Sequence, residues 1–235
     1  MNSDTPTRLG IGRAGSRYPT KSLLKFRADH ARAVDAVLTE VEVDWPKKNG
    51  LVEFHSEPIS RDEYLHHPER GRRLRRNEIA KLKALNPRLK KESSKPSVLI
   101  FVGDGLSSAA VEANAAPLLR TLTKLLATKY RLLKPIFVRN ARVRIEDHIG
   151  EILRPELVFM IVGERPGLAT AESLSAYVIY RPRLSSQEPE RTVISNIHRG
   201  GIPIPEAAKK IATLIDDAIR HRATGAPLAA KLASE

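Results

Sequence analysis

Three polar clusters interrupt apolar stretches in the second half of this chain, and their residue types limit the chemistry open to them. In "FVGDGLSSAAVEANAAPLL", residues 101–119, Asp104 stands between Gly103 and Gly105 just before a helix-compatible run. A phosphate-binding Walker loop needs Lys and then Ser or Thr after its glycines, and a dinucleotide fingerprint needs a third glycine; "GDGLSS" has neither. Backbone amides at such a turn can hold an anion, but Asp104 repels phosphate and favours an amide, a hydroxyl or a cation. Ligand hydrogen bonding, turn stabilisation and direct catalysis all stay open for it. In "GERPGL", residues 163–168, Pro166 and Gly167 stiffen and turn the chain after Glu164. A carboxylate held there suits amide donors, whereas glycosidase chemistry would need a second acid that nothing supplies. In "ERTVISNIHRGGIP", residues 190–203, Ser195 and His198 invite a hydrolase reading, but no nucleophile elbow surrounds Ser195. A ligand-facing loop is the expectation there. His55, His66 and His67 lack a well-placed further ligand, so no metal site is expected.

These clusters need a scaffold. "SVLIFVGD" (97–104), "KPIFVRNAR" (134–142), "LVFMIVGER" (157–165) and "LSAYVIYRP" (174–182) are short β-rich runs. A helix is predicted from Ser107 or Ser108 to about Lys129, and another from Pro205 to about Arg222 with Ala207, Ile211, Ile215 and Ala218 on one side. The alternation predicts an α/β fold with a largely parallel sheet, whose ligands meet the carboxyl ends of the strands. Earlier in the chain, residues 20–38 carry Leu23, Leu24, Phe26, Val34 and Leu38 at helical spacing. Periodicity does not say whether that stripe packs on the chain's own sheet or on a partner. Gly10, Gly12 and Gly15 precede it in a flexible arm with Arg13 and Arg17. Glu40 to His67 reads as an exposed loop without clear periodicity, and residues 72–85 as a short basic helix ending near Asn86-Pro87. The first core strand is expected only after Pro96, with the boundary near residue 95.

The absence of cysteine among 235 residues excludes disulfides, thiolate nucleophiles and cysteine-ligated metals. No leader pattern opens the chain and no apolar run approaches the roughly 18 residues of a membrane span, so a soluble internal protein is expected. The net charge of +13 favours a polyanionic partner, but residues 69–95 alone carry 11 Lys or Arg against three Glu. That segment has no aromatic for stacking bases, which favours a solvated helix or a surface facing an acidic protein over nucleic acid.

Five stretches carry a resemblance: "GRAGSRYPTKSLLKFRADHARAVDAV", "VGDGLSSAAVEANAAPLL", "RVRIEDHIGEIL", "VGERPGLATAESLSAYVIYRPR" and "ERTVISNIHRGGIP". In this order they resemble the small (light) subunit of ethanolamine ammonia-lyase, over residues 8 to about 228 with a less characteristic part from about 42 to 95. The resemblance implies a Rossmann-like, largely parallel sheet domain at 96–235 that contacts cobalamin, preceded by a helical and charged partner-contacting region at 1–95. It implies adenosylcobalamin as cofactor and a large β/α-barrel subunit that holds the substrate, the pair converting ethanolamine to acetaldehyde and ammonia. It further implies a multimer of heterodimers in a bacterial microcompartment or the cytoplasm, with neither nucleic acid nor a membrane as partner. The corrinoid contacts of the family fall on Val143 in "ARVRIED", Glu164 in "VGERPGL" and Val193 after Arg191-Thr192, where some relatives carry cysteine. No catalytic residue and no metal ligand is implied on this chain. Arg139-Asn140-Ala141 departs from a glycine-containing turn of the family.

Overall fold

A computed structural model describes residues 10–85 and 95–234 of the chain. Its centre is one sheet of β1 (Val52–His55), β2 (Ser97–Gly103), β3 (Arg131–Leu132), β4 (Ile136–Arg139), β5 (Leu157–Gly163), β6 (Leu174–Tyr180) and β7 (Thr192–Ile197). The order is β1-β4-β2-β5-β6-β7, with β3 beside the start of β2. β1, β4, β2 and β5 run parallel, and all seven residues of both β2 and β5 are buried, as strands covered on both faces must be. β6 and β7 are antiparallel. Residues 164–173 between β5 and β6 are too few for a helical crossover, so the chain turns back beside β5.

Around the sheet, in chain order, lie α1 (Thr20–Leu38), α2 (Trp45–Lys48), α3 (Arg61–His66), α4 (Arg76–Leu85), α5 (Ser108–Ala110), α6 (Ala116–Leu126), α7 (Ile145–Leu153), α8 (Ile204–His221) and α9 (Gly225–Leu232). The first face of the sheet buries Ile100, Val102, Phe159 and Ile161 under Leu118 and Leu122 of α6 and Ile211 and Ile215 of α8. The second buries Leu99, Phe101, Val158 and Met160 under Leu82 of α4 and Ile145 and Ile149 of α7. Each such side chain contributes on the order of 1.5–3 kcal/mol, so these two layers fix the strand ends firmly.

The predicted helix after Ser107 is helical from Ser108 to Leu126, with one wide π turn at Val111–Ala115. That turn lies just before Pro117, which has no N–H to donate and crowds the preceding turn. Ser107 caps the start, its Oγ accepting from Ala110 N–H at 3.1 Å.

Several expectations need correction. The supposed loop from Glu40 to His67 contains α2, β1 and α3, so the sheet acquires a strand well before Pro96. β1 is four residues long with only Phe54 buried, too short to display alternation; pairing with β4 and the 2.6 Å ion pair from Arg139 Nε to Glu53 hold it. The basic helix begins at Arg76 rather than at residue 72, after a single 3-10 turn at Arg70–Arg72. Its expected end near Asn86-Pro87 lies outside the described residues. The stretch 190–203 is not simply a loop: Thr192–Ile197 is the edge strand β7.

Candidate site at the strand ends

The Gly-Asp-Gly turn is a joint within the fold. Asp104 is 1% exposed; its Oδ2 accepts from Asn140 N–H at 2.8 Å and its Oδ1 from Ala141 N–H at 2.9 Å, binding the end of β2 to the end of β4. Arg61 Nη1 lies 3.5 Å from the same carboxylate and donates to the Gly105 carbonyl at 2.9 Å. Burial pushes the Asp104 carboxyl upward, against the pull of Arg61 and the two amides. Gly105 has φ +58, and a Cβ there would stand 2.3 Å from the Gly163 carbonyl oxygen, so side-chain-free residues let the ends of β2 and β5 touch. Of the three roles open to Asp104, the geometry selects turn stabilisation. The departure at Asn140 is also explained: its φ of 56 is the left-handed conformation a glycine would adopt, which asparagine tolerates.

Glu164 is placed differently. It follows Gly163 onto the second face, where its Oε1 accepts from Ser175 Oγ at 2.7 Å on β6 and from Asn196 N–H at 2.8 Å on β7. No hydrogen bond among the described residues reaches Oε2. Asn196, with φ 62, forms the irregularity where β7 slips against β6. Its side-chain Oδ1 lies 2.8 Å from His198 Nε2, while His198 Nδ1 accepts from Gly200 N–H at 3.1 Å. Both ring nitrogens of His198 are thus engaged within this turn, and Ser195 gains no base. Among the described residues no group of three acidic or histidine side chains is arranged to hold a metal ion.

A buried ion cluster joins two rims of the same face. Arg191, just before β7, reaches Asp147 through Nη2, lies 3.5 Å from Glu146 Oε2 through Nε, and donates to the Gln187 carbonyl at 3.1 Å through Nη1. Glu146 and Asp147 open α7, and Glu146 N–H donates to the Val143 carbonyl at 3.2 Å. Burial holds the Glu146 carboxyl well above its ordinary range, opposed by Arg191. Between the rims stands Tyr177 of β6, paired with Val193 of β7 and packed on the second core. Its hydroxyl is pushed upward first by burial and then by the charges of Glu146, Glu164 and Glu188.

Comparison with known proteins settles the family. The family model for the ethanolamine ammonia-lyase light chain matches residues 1–229. The chain belongs to this family. Among its relatives, the "Ethanolamine ammonia-lyase small subunit" of Clostridioides difficile strain 630 is 44% identical over 231 residues, covering 97% of this chain and 76% of the relative. The protein of the same name from Lachnoclostridium phytofermentans is 44% identical over 229 residues, covering 97% and 75%. That of Listeria monocytogenes serotype 4a is 43% identical over 230 residues, covering 97% and 76%.

Of the three positions singled out by the family resemblance, Glu164 and Val193 lie on the second face of the sheet, linked through β6, and Val143 precedes α7, which packs on that face. Val143 lies two residues before α7, Glu164 directly follows β5 and Val193 lies on the outer strand β7, with Ser175 and Tyr177 of β6 between β5 and β7. α7 packs against β5 on this face and α8 packs on the other, so Val193 is 45% exposed. Tyr177 and Val193 are thus partly exposed on this face, beside a Glu164 carboxylate whose Oε1 alone takes hydrogen bonds among the described residues. Sequence reasoning missed the supports of this face, namely Glu146, Asp147, Arg191 and Tyr177. The adjacent acids at the head of "IEDHIGEIL" were the available signal, since a buried acidic pair at a helix start needs a cation from elsewhere.

Proposed function

We propose that this chain is the light subunit of an adenosylcobalamin-dependent ethanolamine ammonia-lyase and that, with a large subunit, it converts ethanolamine to acetaldehyde and ammonia. The observation that carries the reading is the half-open second face around Tyr177 and Val193, edged by Glu164 with one oxygen engaged and the other not. A corrinoid is a broad ring with an apolar face and a rim of amides. It calls for an apolar floor and a few fixed acceptors rather than a deep pocket, and these residues fit that demand. When bound, adenosylcobalamin supplies the cobalt–carbon bond and the radical chemistry.

The chain's own residues orient and enclose. Glu164 Oε2 would hold an amide of the bound corrinoid, a charge-assisted bond worth about 1.5–3 kcal/mol once water is excluded. Ser175 and Asn196 hold that carboxylate in direction, through 2.7 and 2.8 Å bonds to its other oxygen. Val143 and Val193 give apolar and backbone contact; Val193 offers no thiol where some relatives carry cysteine. The substrate and most of the chemistry sit on the large subunit, so this chain contributes no catalytic residue and closes the site against water. In this reading residues 96–235 contact the cobalamin and residues 1–95 contact the partner, while Val52–His55 of the earlier part completes the sheet edge. The assembly is a multimer of heterodimers, in a bacterial microcompartment or the cytoplasm. No described helix is long and apolar enough to cross a membrane.

The test is acetaldehyde formation from ethanolamine by this chain, its large subunit and adenosylcobalamin, alone and in every combination. Turnover only with all three is expected. Turnover by this chain alone, or none beside a competent large subunit, would contradict the reading.

A further inference from the structure

Arginines of the basic segment line a cavity of their own. It has a volume of about 390 Å³ and lies between the turn at residues 69–73, the start of α7 and Leu184, with Arg70, Arg72, Arg73 and Arg144 in its walls. The backbone that carries the first three is pinned. The Gly71 carbonyl accepts from Arg142 N–H at 2.8 Å, the Arg73 carbonyl accepts from Glu57 N–H at 2.9 Å, and Leu74 N–H donates to His148 Nδ1 at 2.9 Å. Gly71 is buried, and a Cβ there would stand 2.9 Å from the Asn140 carbonyl oxygen, so the turn is pressed against the end of β4.

The tips of two of these side chains are unused. Arg70 pairs with Glu63, and Arg144 donates to Asp147 at 3.2 Å and to the Ser186 carbonyl at 3.1 Å. Arg72 and Arg73 have no side-chain hydrogen bond or ion pair among the described residues. The acids of the lining are Glu57, Glu69 and Asp147. Asp147 is engaged by Arg191 as well as Arg144, and Glu69 lies 3.6 Å from His67, which leaves two free guanidinium forks against Glu57. His148 adds no charge, because burial and then Arg73 hold its ring below the ordinary value of 6.5. The cavity is sized for a small group rather than a polymer strand. A carboxylate offers its two oxygens in one plane, whereas a phosphate presents oxygens in several directions, which suits forks arriving from two separate segments.

We propose that this cavity binds a phosphate group through the forks of Arg72 and Arg73, with Arg144 beside them. Two sources carry that chemistry. Arg144 directly follows Val143, so the cavity adjoins the proposed cofactor face, and adenosylcobalamin has one phosphodiester in its nucleotide tail. Inorganic phosphate is the other source. The first rests on the light-subunit reading, and the second does not.

The experiment compares the wild-type chain with the double variant Arg72→Gln, Arg73→Gln, each assembled with the large subunit. Equilibrium binding is measured for adenosylcobalamin, for adenosylcobinamide, which lacks the phosphate and the base, and for inorganic phosphate, together with the Tm of each free chain. Both side chains are exposed, so the Tm is expected to hold. With the cofactor as source, the variant loses about tenfold in affinity for adenosylcobalamin and nothing for adenosylcobinamide. With free phosphate as source, the wild type binds inorganic phosphate, the variant binds it about tenfold more weakly, and both corrinoids bind as before. Equal affinities of the two proteins for all three ligands overturn the site. An equal loss toward both corrinoids, with no phosphate binding, makes the arginines contacts of the corrin or of the assembly and also overturns it. An intact wild-type assembly that binds neither corrinoid overturns the cofactor reading, and the phosphate measurement alone then decides the site. The pair Arg72→Met, Arg73→Met keeps long side chains without donors and serves as the second variant. A Tm lowered by several degrees in both variants makes the arginines part of the fold and overturns the proposal; where only one variant loses Tm, the same comparison is read on the other.

Discussion

Asp104 and Glu164 each follow a glycine at the carboxyl end of a parallel strand, β2 and β5, and these strands are neighbours. At Asp104 both oxygens receive backbone N–H groups and a buried arginine stands alongside, so nothing is left for a ligand. At Glu164 one oxygen takes the Ser175 hydroxyl and the Asn196 amide, and the second oxygen has no such partner. Equivalent places in an α/β sheet therefore do different work. The number of acceptor positions the fold itself uses separates a joint from an edge with an acceptor to spare.

The sharpest way to break this comparison is at the joint. Asp104→Ala strands Arg61 in a buried place and frees two amides, with an expected loss of about 3–5 kcal/mol in urea unfolding. A loss below about 1 kcal/mol would mean that the joint is not one. A second test lies under the edge, at Glu146, faced by Arg191, Asp147, Glu188 and Tyr177. Its carboxyl is raised from an ordinary value of 4.5, so the native state keeps a proton that the unfolded state has lost. The stability from this group is complete below about pH 4.5 and declines as pH rises through the raised value. Glu146→Gln should remove that decline and be the more stable form at pH 8, seen as a flatter plot of Tm against pH. Equal destabilisation at every pH would count against a neutral Glu146. The smallest effect is expected at Val193→Ala, a loss of about two- to fivefold in cobalamin affinity of the assembled enzyme, the value of trimming partly buried apolar surface. No change there would remove Val193 from the floor.

The parts legible in the sequence were those in which burial imposes a pattern. β2 and β5 are unbroken apolar runs because both their faces are covered, and α8 shows its stripe because one side is packed. β1 and β7 gave no such signal. One is four residues long, and the other is an exposed edge with an irregularity at Asn196. Pro166 and Gly167 marked a turn after Glu164, but the partners that orient its carboxylate, on β6 and β7, are long-range pairings that no local spacing encodes. Asp104 was ambiguous for the same reason, since its donors Asn140 and Ala141 belong to another strand end. Part of the basic segment proves structural: Arg75 donates to the carbonyls of Ser56 and Pro58 at 3.0 and 2.6 Å, holding the approach to α4 against β1. Residues 86–94 of that segment lie outside the described residues. Periodicity gave α1 its helix but not the direction in which its stripe points.

The central claim is that Glu164 offers its second oxygen to the corrin rim, and Glu164→Gln tests it most directly. The amide keeps an oxygen for Ser175 and Asn196 and replaces the other with a donor, so the fold is preserved while the acceptor is lost. Adenosylcobalamin affinity, measured by equilibrium binding to the assembled two-subunit enzyme, is expected to fall about 10- to 100-fold with assembly and Tm unchanged. An unchanged affinity in an intact assembly would contradict the claim.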